Sequence, residues 1–365
     1  MAQAQSRLSL LDQALEAAAS GARLSDDQAL ALLLEAPPHE LAVLAHRARL
    51  AKNPAMIVTY AVDRNINTTN VCLSGCRFCA FFRPPGAPGG YVLSPEEIDR
   101  KIAETIALGG TQILVQGGLH PEIGVEETCR QIRRIKKNFN IHVHGLSPPE
   151  VVHMAAVDGM DIDQALDRLI AAGLGSIPGG GAEILVDSVR RRIAPGKCSG
   201  RQWLEVMARA HAKGLFTTAT MMFGSLDGPA ERIGHMALLR ALQDQSLARG
   251  RGCFTAFIPW TFQPANTALA HLTPLTAVDY LRTLAVSRLY LDNFAHVQAS
   301  WVTQGAKIAQ LALLHGADDL GSTMIEENVV AAAGACFRLD RAEMIRLADD
   351  LGYQARQRDT LYRLL

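Results

Sequence analysis

The chain has 365 residues, 48% of them hydrophobic and 20% charged, a composition that suits one large barrel or two modest domains. Lys plus Arg and Asp plus Glu both total 36; with no surplus of positive charge, neither nucleic acid nor an anionic membrane is the expected partner, and a small molecule is. Met1 to Leu11 holds no apolar core of signal-peptide length, and no later run approaches the ~20 apolar residues of a spanning helix, so the expected location is the cytosol.

From Leu8 to Leu50 apolar residues recur at helical spacing, interrupted by Gly21 and Pro37-Pro38, which predicts two or three short helices. From Met56 onward short β-rich runs alternate with longer amphipathic ones, the pattern of repeated β-α units around a parallel sheet. The expected strands are Met56 to Val62, Thr111 to Gln116, Ile141 to His144, Leu174 to Ile177, Phe216 to Met222, Phe254 to Ile258, Phe294 to Ser300 and a weak last one near Leu320 to Met324. Eight such runs favour a barrel. Ser94-Pro95-Glu96-Glu97 and Ser147-Pro148-Pro149-Glu150 each offer an N-cap hydroxyl, a proline at the first helical position and a capping-box carboxylate. Gly109 and Gly110 stop the first of these helices. The expected organisation is a helical extension over 1–53, a barrel over 54–338, and two closing helices over 339–365.

The most telling motif follows the first strand: Asn70-Val71-Cys72-Leu73-Ser74-Gly75-Cys76-Arg77-Phe78-Cys79-Ala80-Phe81, with C-x3-C-x2-C spacing. A four-iron cluster normally takes four protein thiolates, so three would leave one iron open to a small molecule, as catalytic metal sites do. A zinc site completed by a distant histidine, a disulfide framework, or unrelated thiols are the alternatives. No histidine lies within the loop, His120 being the first downstream, and zinc sites usually draw ligands as two tight pairs. Cys129, Cys198, Cys253 and Cys336 are scattered without ligand spacing and read as buried small hydrophobes. Pro84-Pro85-Gly86-Ala87-Pro88-Gly89-Gly90 is strongly loop-like, a flexible cover or a plain connection.

Active residues of a barrel hang from the C-terminal ends of its strands. At the end of the second strand Gln116, Gly117 and Gly118 could cradle an amino-acid-like group, or simply turn the chain. Pro178-Gly179-Gly180-Gly181-Ala182-Glu183 follows the fourth strand and opens a helical segment, with amides for an anionic oxygen and Glu183 for ribose hydroxyls. Arg190-Arg191-Arg192 reads as a solvated helix face, with one arginine free to pair with a carboxylate. On the sixth strand Trp260 and Phe262 offer flat walls, or core packing, while Gln263 and Asn266 can hydrogen-bond a ligand. His296, Gln298 and Ser300 alternate and share one face.

Taken together, the cysteine loop with Phe78 before its last thiol, Gln116-Gly117-Gly118-Leu119-His120-Pro121, Ser147-Pro148-Pro149-Glu150, the 178–183 run and Pro259-Trp260-Thr261-Phe262-Gln263-Pro264 resemble the radical S-adenosylmethionine enzymes, in particular their branch in the futalosine route to menaquinone. The similarity runs from about Pro54 to Asn328. It implies a (β/α)8 TIM-type barrel with N-terminal and C-terminal helices, a [4Fe-4S] cluster on Cys72, Cys76 and Cys79, and S-adenosyl-L-methionine on the open iron beside Gln116, Gly117 and Gly118. Gly179, Gly180 and Glu183 would serve the cofactor; Trp260, Phe262, Gln263 and His296 the substrate. The implied reaction is a cyclisation of dehypoxanthine futalosine, in which a 5′-deoxyadenosyl radical takes the ribose C4′ hydrogen and the carbon radical closes onto the benzoate ring. His296 is the expected proton acceptor, with Glu183 as the alternative, and a flavodoxin or ferredoxin is the expected electron donor. Phe82 departs from the pattern, which has tyrosine there. Competing readings are a sibling branch that joins a carbon radical to an enolpyruvyl acceptor, and a non-catalytic metal-binding scaffold.

Overall fold

A computed structural model describes residues 9–365; residues 1–8, where part of the leader expectation falls, lie outside it. Three helices come first: α1 (Leu10–Ser20), α2 (Asp26–Glu35) and α3 (Pro38–Lys52). Next run β1 (Ile57–Ala61), β2 (Asn65–Asn67), α4 (Pro95–Ala107), β3 (Gln112–Gln116), α5 (Val125–Asn138), β4 (His142–Gly145), α6 (Pro148–Val157), α7 (Ile162–Ala172), β5 (Ser176–Ile177), α8 (Asp187–Ile193) and α9 (Gly200–Ala212). The chain continues through β6 (Phe216–Phe223), α10 (Pro229–Arg249), β7 (Phe254–Thr261), α11 (Ala277–Tyr290), β8 (His296–Val297), α12 (Trp301–Leu314), β9 (Asp319–Ser322), α13 (Val329–Ala332), α14 (Arg341–Asp349) and β10 (Gln354–Gln357).

All the paired strands are parallel, as β-α repetition demands. One sheet runs β2-β3-β4-β5-β6-β7-β8 and a second runs β10-β1-β9. A bridge from Gln298 to Asp319 joins β8 to β9, and β1 runs on into β2 within one stretch of chain. The ring therefore closes with eight staves, β1 and β2 forming one, which is the (β/α)8 barrel that the eight β-rich runs predicted.

Local chemistry sets the helix starts. Ser94 accepts the Glu97 amide at 3.2 Å, and the Glu97 carboxylate takes the Ser94 amide at 2.7 Å; a cap of this kind is worth about 1 kcal/mol. At α6 Glu150 closes the box on the Ser147 amide at 2.7 Å and also accepts the Gly117 amide at 2.8 Å, so one buried carboxylate ties a helix start to the glycine pair.

The lower rim departs from expectation. The closing stretch holds only one helix, α14, followed by β10, because β10 finds a partner in β1: Ile57 faces Gln354 and Tyr60 faces Gln357. Higher up, β2 pairs instead with β3. The last residues then turn inward, and Thr360 Oγ1 reaches Gln112 Oε1. In the N-terminal stretch α1 packs on α2, α2 on α10 and α11, and α3 on α11 and α12, and the buried Arg49 of α3 donates to the Ile57 carbonyl at 2.7 Å. Of the four scattered cysteines, Cys129 is buried, Cys198 and Cys253 are half-buried and Cys336 is exposed, so only the first fits the hydrophobe expectation. No helix among the described residues is long and apolar enough to cross a membrane.

Candidate active site

The cysteine loop leaves the top of β2 and is held by backbone bonds to its surroundings. Cys72 N donates to Arg83 O at 2.9 Å, Arg83 N to Asn70 O at 2.8 Å, and Leu73 N to Leu119 O at 3.0 Å. Asn70 Nδ2 adds a bond to Gly89 O at 2.9 Å, so the Pro84–Gly90 stretch is fastened to the loop and does not hang free. Gly118 has an ordinary φ; its importance is space, since a Cβ there would stand 2.2 Å from Val71 O. A Cβ on Gly117 would stand 2.7 Å from Thr68 Oγ1. The glycine pair thus admits the cysteine loop to close approach.

Ser74 Oγ lies 2.9 Å from Cys72 Sγ and 3.3 Å from Cys76 Sγ, and Leu119 N donates to Cys72 Sγ at 3.2 Å. Burial pushes the Cys76 thiol up to about 11, against the pull of the Lys197 cation. Lys197, whose ammonium pairs with Glu183 at 2.9 Å and stands 5.2 Å from the Phe78 ring centroid, places positive charge beside this desolvated thiol. Three soft donors, two of them buried, with a half-buried cation at hand suit a metal cluster of net negative charge.

Inside the barrel, below this loop, is a cavity of about 280 Å³. Gln116, Gly180, Glu183, Trp260, Gln298 and Ser300, each singled out from the sequence, line it. Gly117 and Gly118 face a separate hollow of about 370 Å³ bounded by residues of α4, α5 and α6. Gly179, Phe262, Gln263 and His296 line neither, each for a physical reason. Gly179 spends its amide on Thr218 at 2.9 Å and its carbonyl on Thr220 at 2.6 Å. Phe262 lies past the end of β7, where its amide bonds Phe223 O at 2.8 Å and its ring enters the core; Gln263 turns back on Thr261. His296 sits near the start of its strand, its Nδ1 2.5 Å from Asp318 Oδ2 and its ring stacked on Tyr362 at 3.9 Å.

The glycine run does not open a helix directly, as α8 begins only at Asp187. Glu183, at a positive φ of 43°, bonds Lys197 through one oxygen and Arg190 through the other at 3.4 Å. Arg190 is therefore no solvated face: 1% exposed, it also donates to the Ala182, Gly181 and Cys198 carbonyls.

Sequence reasoning missed the floor. Arg358, Thr360 and Tyr362 line the underside of the cavity. Arg358 grips Asp319 through Nε at 2.5 Å and Nη2 at 2.9 Å, and its guanidinium carbon stands 3.9 Å from the Tyr362 ring centroid. The neighbouring Asp318 is buried beside Arg288 and takes Asn53 Nδ2 at 2.9 Å. Burial would raise its pKa, but the Arg288 charge and the His296 hydrogen bond hold it below the usual carboxylate range. The Tyr362 hydroxyl is buried and has no hydrogen-bond partner.

A parallel barrel with a three-thiol loop at its upper mouth and an enclosed chamber beneath has the form of a radical SAM enzyme. Residues 66–239 match the radical SAM superfamily and residues 251–365 the CofH/MqnC C-terminal region. The chain is 45% identical to cyclic dehypoxanthine futalosine synthase of Streptomyces coelicolor, covering 96% of this chain and 88% of that protein. It is 42% identical to the synthase of the same name from Halalkalibacterium halodurans, at 97% and 95% coverage. A 5-amino-6-(D-ribitylamino)uracil–L-tyrosine 4-hydroxyphenyl transferase of Methanopyrus kandleri is 40% identical, at 89% of each chain. Among solved structures, methylornithine synthase superposes with a TM-score of 0.70 at 19% identity, covering 95% and 97% of the two chains. The hydrogenase maturase HydG reaches 0.72 at 16% identity, with 96% and 76% covered. The chain belongs to the radical SAM superfamily and, within it, to the CofH/MqnC family. Its cofactors are a [4Fe-4S] cluster and S-adenosyl-L-methionine.

Proposed function

We propose that this enzyme converts dehypoxanthine futalosine to cyclic dehypoxanthine futalosine in menaquinone biosynthesis. The observation that carries the reading is the likeness, at 42–45% identity over nearly the whole chain, to synthases of that name, together with a chamber enclosed beneath a three-thiol loop.

Cys72, Cys76 and Cys79 hold the cluster, and Gln116 stands below them in the chamber wall. When bound, the cluster and S-adenosylmethionine supply the adenosyl radical that begins the reaction. The chain's own residues orient the substrate and keep water out. Trp260 gives a flat face for an aromatic ring, Gln298 and Ser300 offer hydrogen bonds from the segment that follows the neighbouring β8, and the buried Tyr362 hydroxyl is an open donor at the floor. Gly180 must stay bare, because a Cβ would meet Gln116 Nε2 at 2.2 Å. Glu183 spends one carboxylate oxygen on Lys197 and the other on Arg190. A flavodoxin or ferredoxin supplies the electron.

The test is anaerobic incubation of the reconstituted enzyme with dithionite, S-adenosylmethionine and one of three substrates: dehypoxanthine futalosine, the enolpyruvyl acceptor of the sibling branch, or 5-amino-6-(D-ribitylamino)uracil with tyrosine. Cyclised product from the first alone is expected. Turnover of either of the others in its place would move the enzyme to a different branch.

A further inference from the structure

Cyclisation onto an arene leaves a ring carbon that must shed its hydrogen as a proton, so the chamber needs an acceptor. Of its titratable groups, Asp63 holds Gln112 at 2.7 Å and also bonds Ser322, Glu183 is bound to two cations, and Glu327 caps α13 through the Val329, Val330 and Ala331 amides. Arg358 is a cation and Tyr362 a phenol. His296, the expected base, lies beyond the Tyr362 ring and outside the lining.

His144 remains. It lines the chamber, is 7% exposed, and gives only Nδ1 to the protein, 2.6 Å from Ser176 Oγ. The same hydroxyl lies 2.7 Å from His142 Nε2. The arrangement follows from strand geometry: His142 and His144 alternate on β4 and so point the same way, and Ser176 is the residue of β5 in register with His144. Gly175 leaves room for the lower ring, since a Cβ there would stand 2.5 Å from His142 Cε1. Half-buried His142 feels Asp359, Lys136 and Arg363 at the lower rim.

We infer that His144 accepts the departing ring proton through Nε2 and that Ser176 and His142 relay it to the lower rim; the inference rests on the cyclisation reading above. The bond from ribose C4′ to the ring carbon has formed. The ring C–H bond then breaks, its proton passes to His144 Nε2, its electron pair restores the aromatic ring, and the surplus electron leaves to a one-electron acceptor of the flavin or iron–sulfur class. A weak base suffices, because an oxidised cyclohexadienyl ring is strongly acidic; what matters is that the imidazole is vacant. Burial, then the nearby His142 and Arg358, lower His144 to about 3, which keeps it neutral at physiological pH. His144 is the catalytic residue here; Ser176 and His142 are positioning residues.

The experiment compares wild type with His144→Gln, Ser176→Ala and His142→Gln, measuring cyclised product and 5′-deoxyadenosine from dehypoxanthine futalosine under dithionite. The ratio of product to 5′-deoxyadenosine should fall at least about tenfold in H144Q and about threefold in the other two. A primary isotope effect from deuterium at the departing ring position should appear in H144Q. An unchanged ratio in a cluster-loaded H144Q overturns the assignment while leaving the cyclase reading intact. If H144Q loses its cluster, unchanged ratios in both S176A and H142Q overturn it. Wild type that forms 5′-deoxyadenosine from this substrate but no cyclised product overturns the cyclase reading, and this inference with it.

Discussion

The mouth and the floor of the chamber are built by opposite means. At the mouth, the cysteine loop is fixed by backbone hydrogen bonds and by glycines that leave no room for a side chain, as at Gly118 beneath Val71. At the floor, segments meet through buried charges, Arg358 on Asp319 and Arg288 on Asp318. The mouth should therefore be intolerant of added volume, and the floor of lost charge.

The largest effect is expected from Cys76→Ser, which should remove cluster absorbance and all turnover; residual turnover would contradict the ligand set. Gly118→Ala tests volume at the mouth. It should slow S-adenosylmethionine cleavage at least about tenfold with the circular dichroism of the fold retained, and a wild-type rate would show that the loop gives way. Arg358→Met tests charge at the floor. Leaving Asp319 buried without its partner should cost about 3–5 kcal/mol, read as a lowered thermal midpoint, and adding Asp319→Asn should restore part of it. A loss no greater than that from breaking the exposed Arg100–Glu104 pair would erase the contrast. Tyr362→Phe should be the mildest. Since its hydroxyl has no protein partner, stability should move by less than about 0.5 kcal/mol while KM rises a few-fold; an unchanged KM would remove the hydroxyl from substrate contact.

What could be read from the sequence is what short stretches of chain encode. The eight staves were legible because β-rich runs and turn residues are local, and Ser94 and Ser147 marked their helices for the same reason. Trp260 was legible by alternation, sharing its side of β7 with Ile258, both in the chamber wall. Phe262 has the same parity, but the strand ends at Thr261 and the rule ends with it. His296 misled because the residue that separates it from the chamber, Tyr362, comes from the far end of the chain. β10 has no strong strand signal and exists because β1 offers an unfilled edge. His142 and His144 were open to the alternation argument applied to His296 and Gln298, although pairing with Ser176 needed the register of β4 on β5.

The placement of β10 also bears on how the protein is made. Its partner β1 emerges from the ribosome about 300 residues earlier and must wait with one edge unpaired until β10 follows, a non-local pairing of the slow kind. The thiol loop, by contrast, has its backbone partners in place once Ala268 is made. Metal loading from above can accordingly precede closure from below, and a chain without Arg358, Thr360 and Tyr362 would present an assembled upper site over a vessel with no bottom.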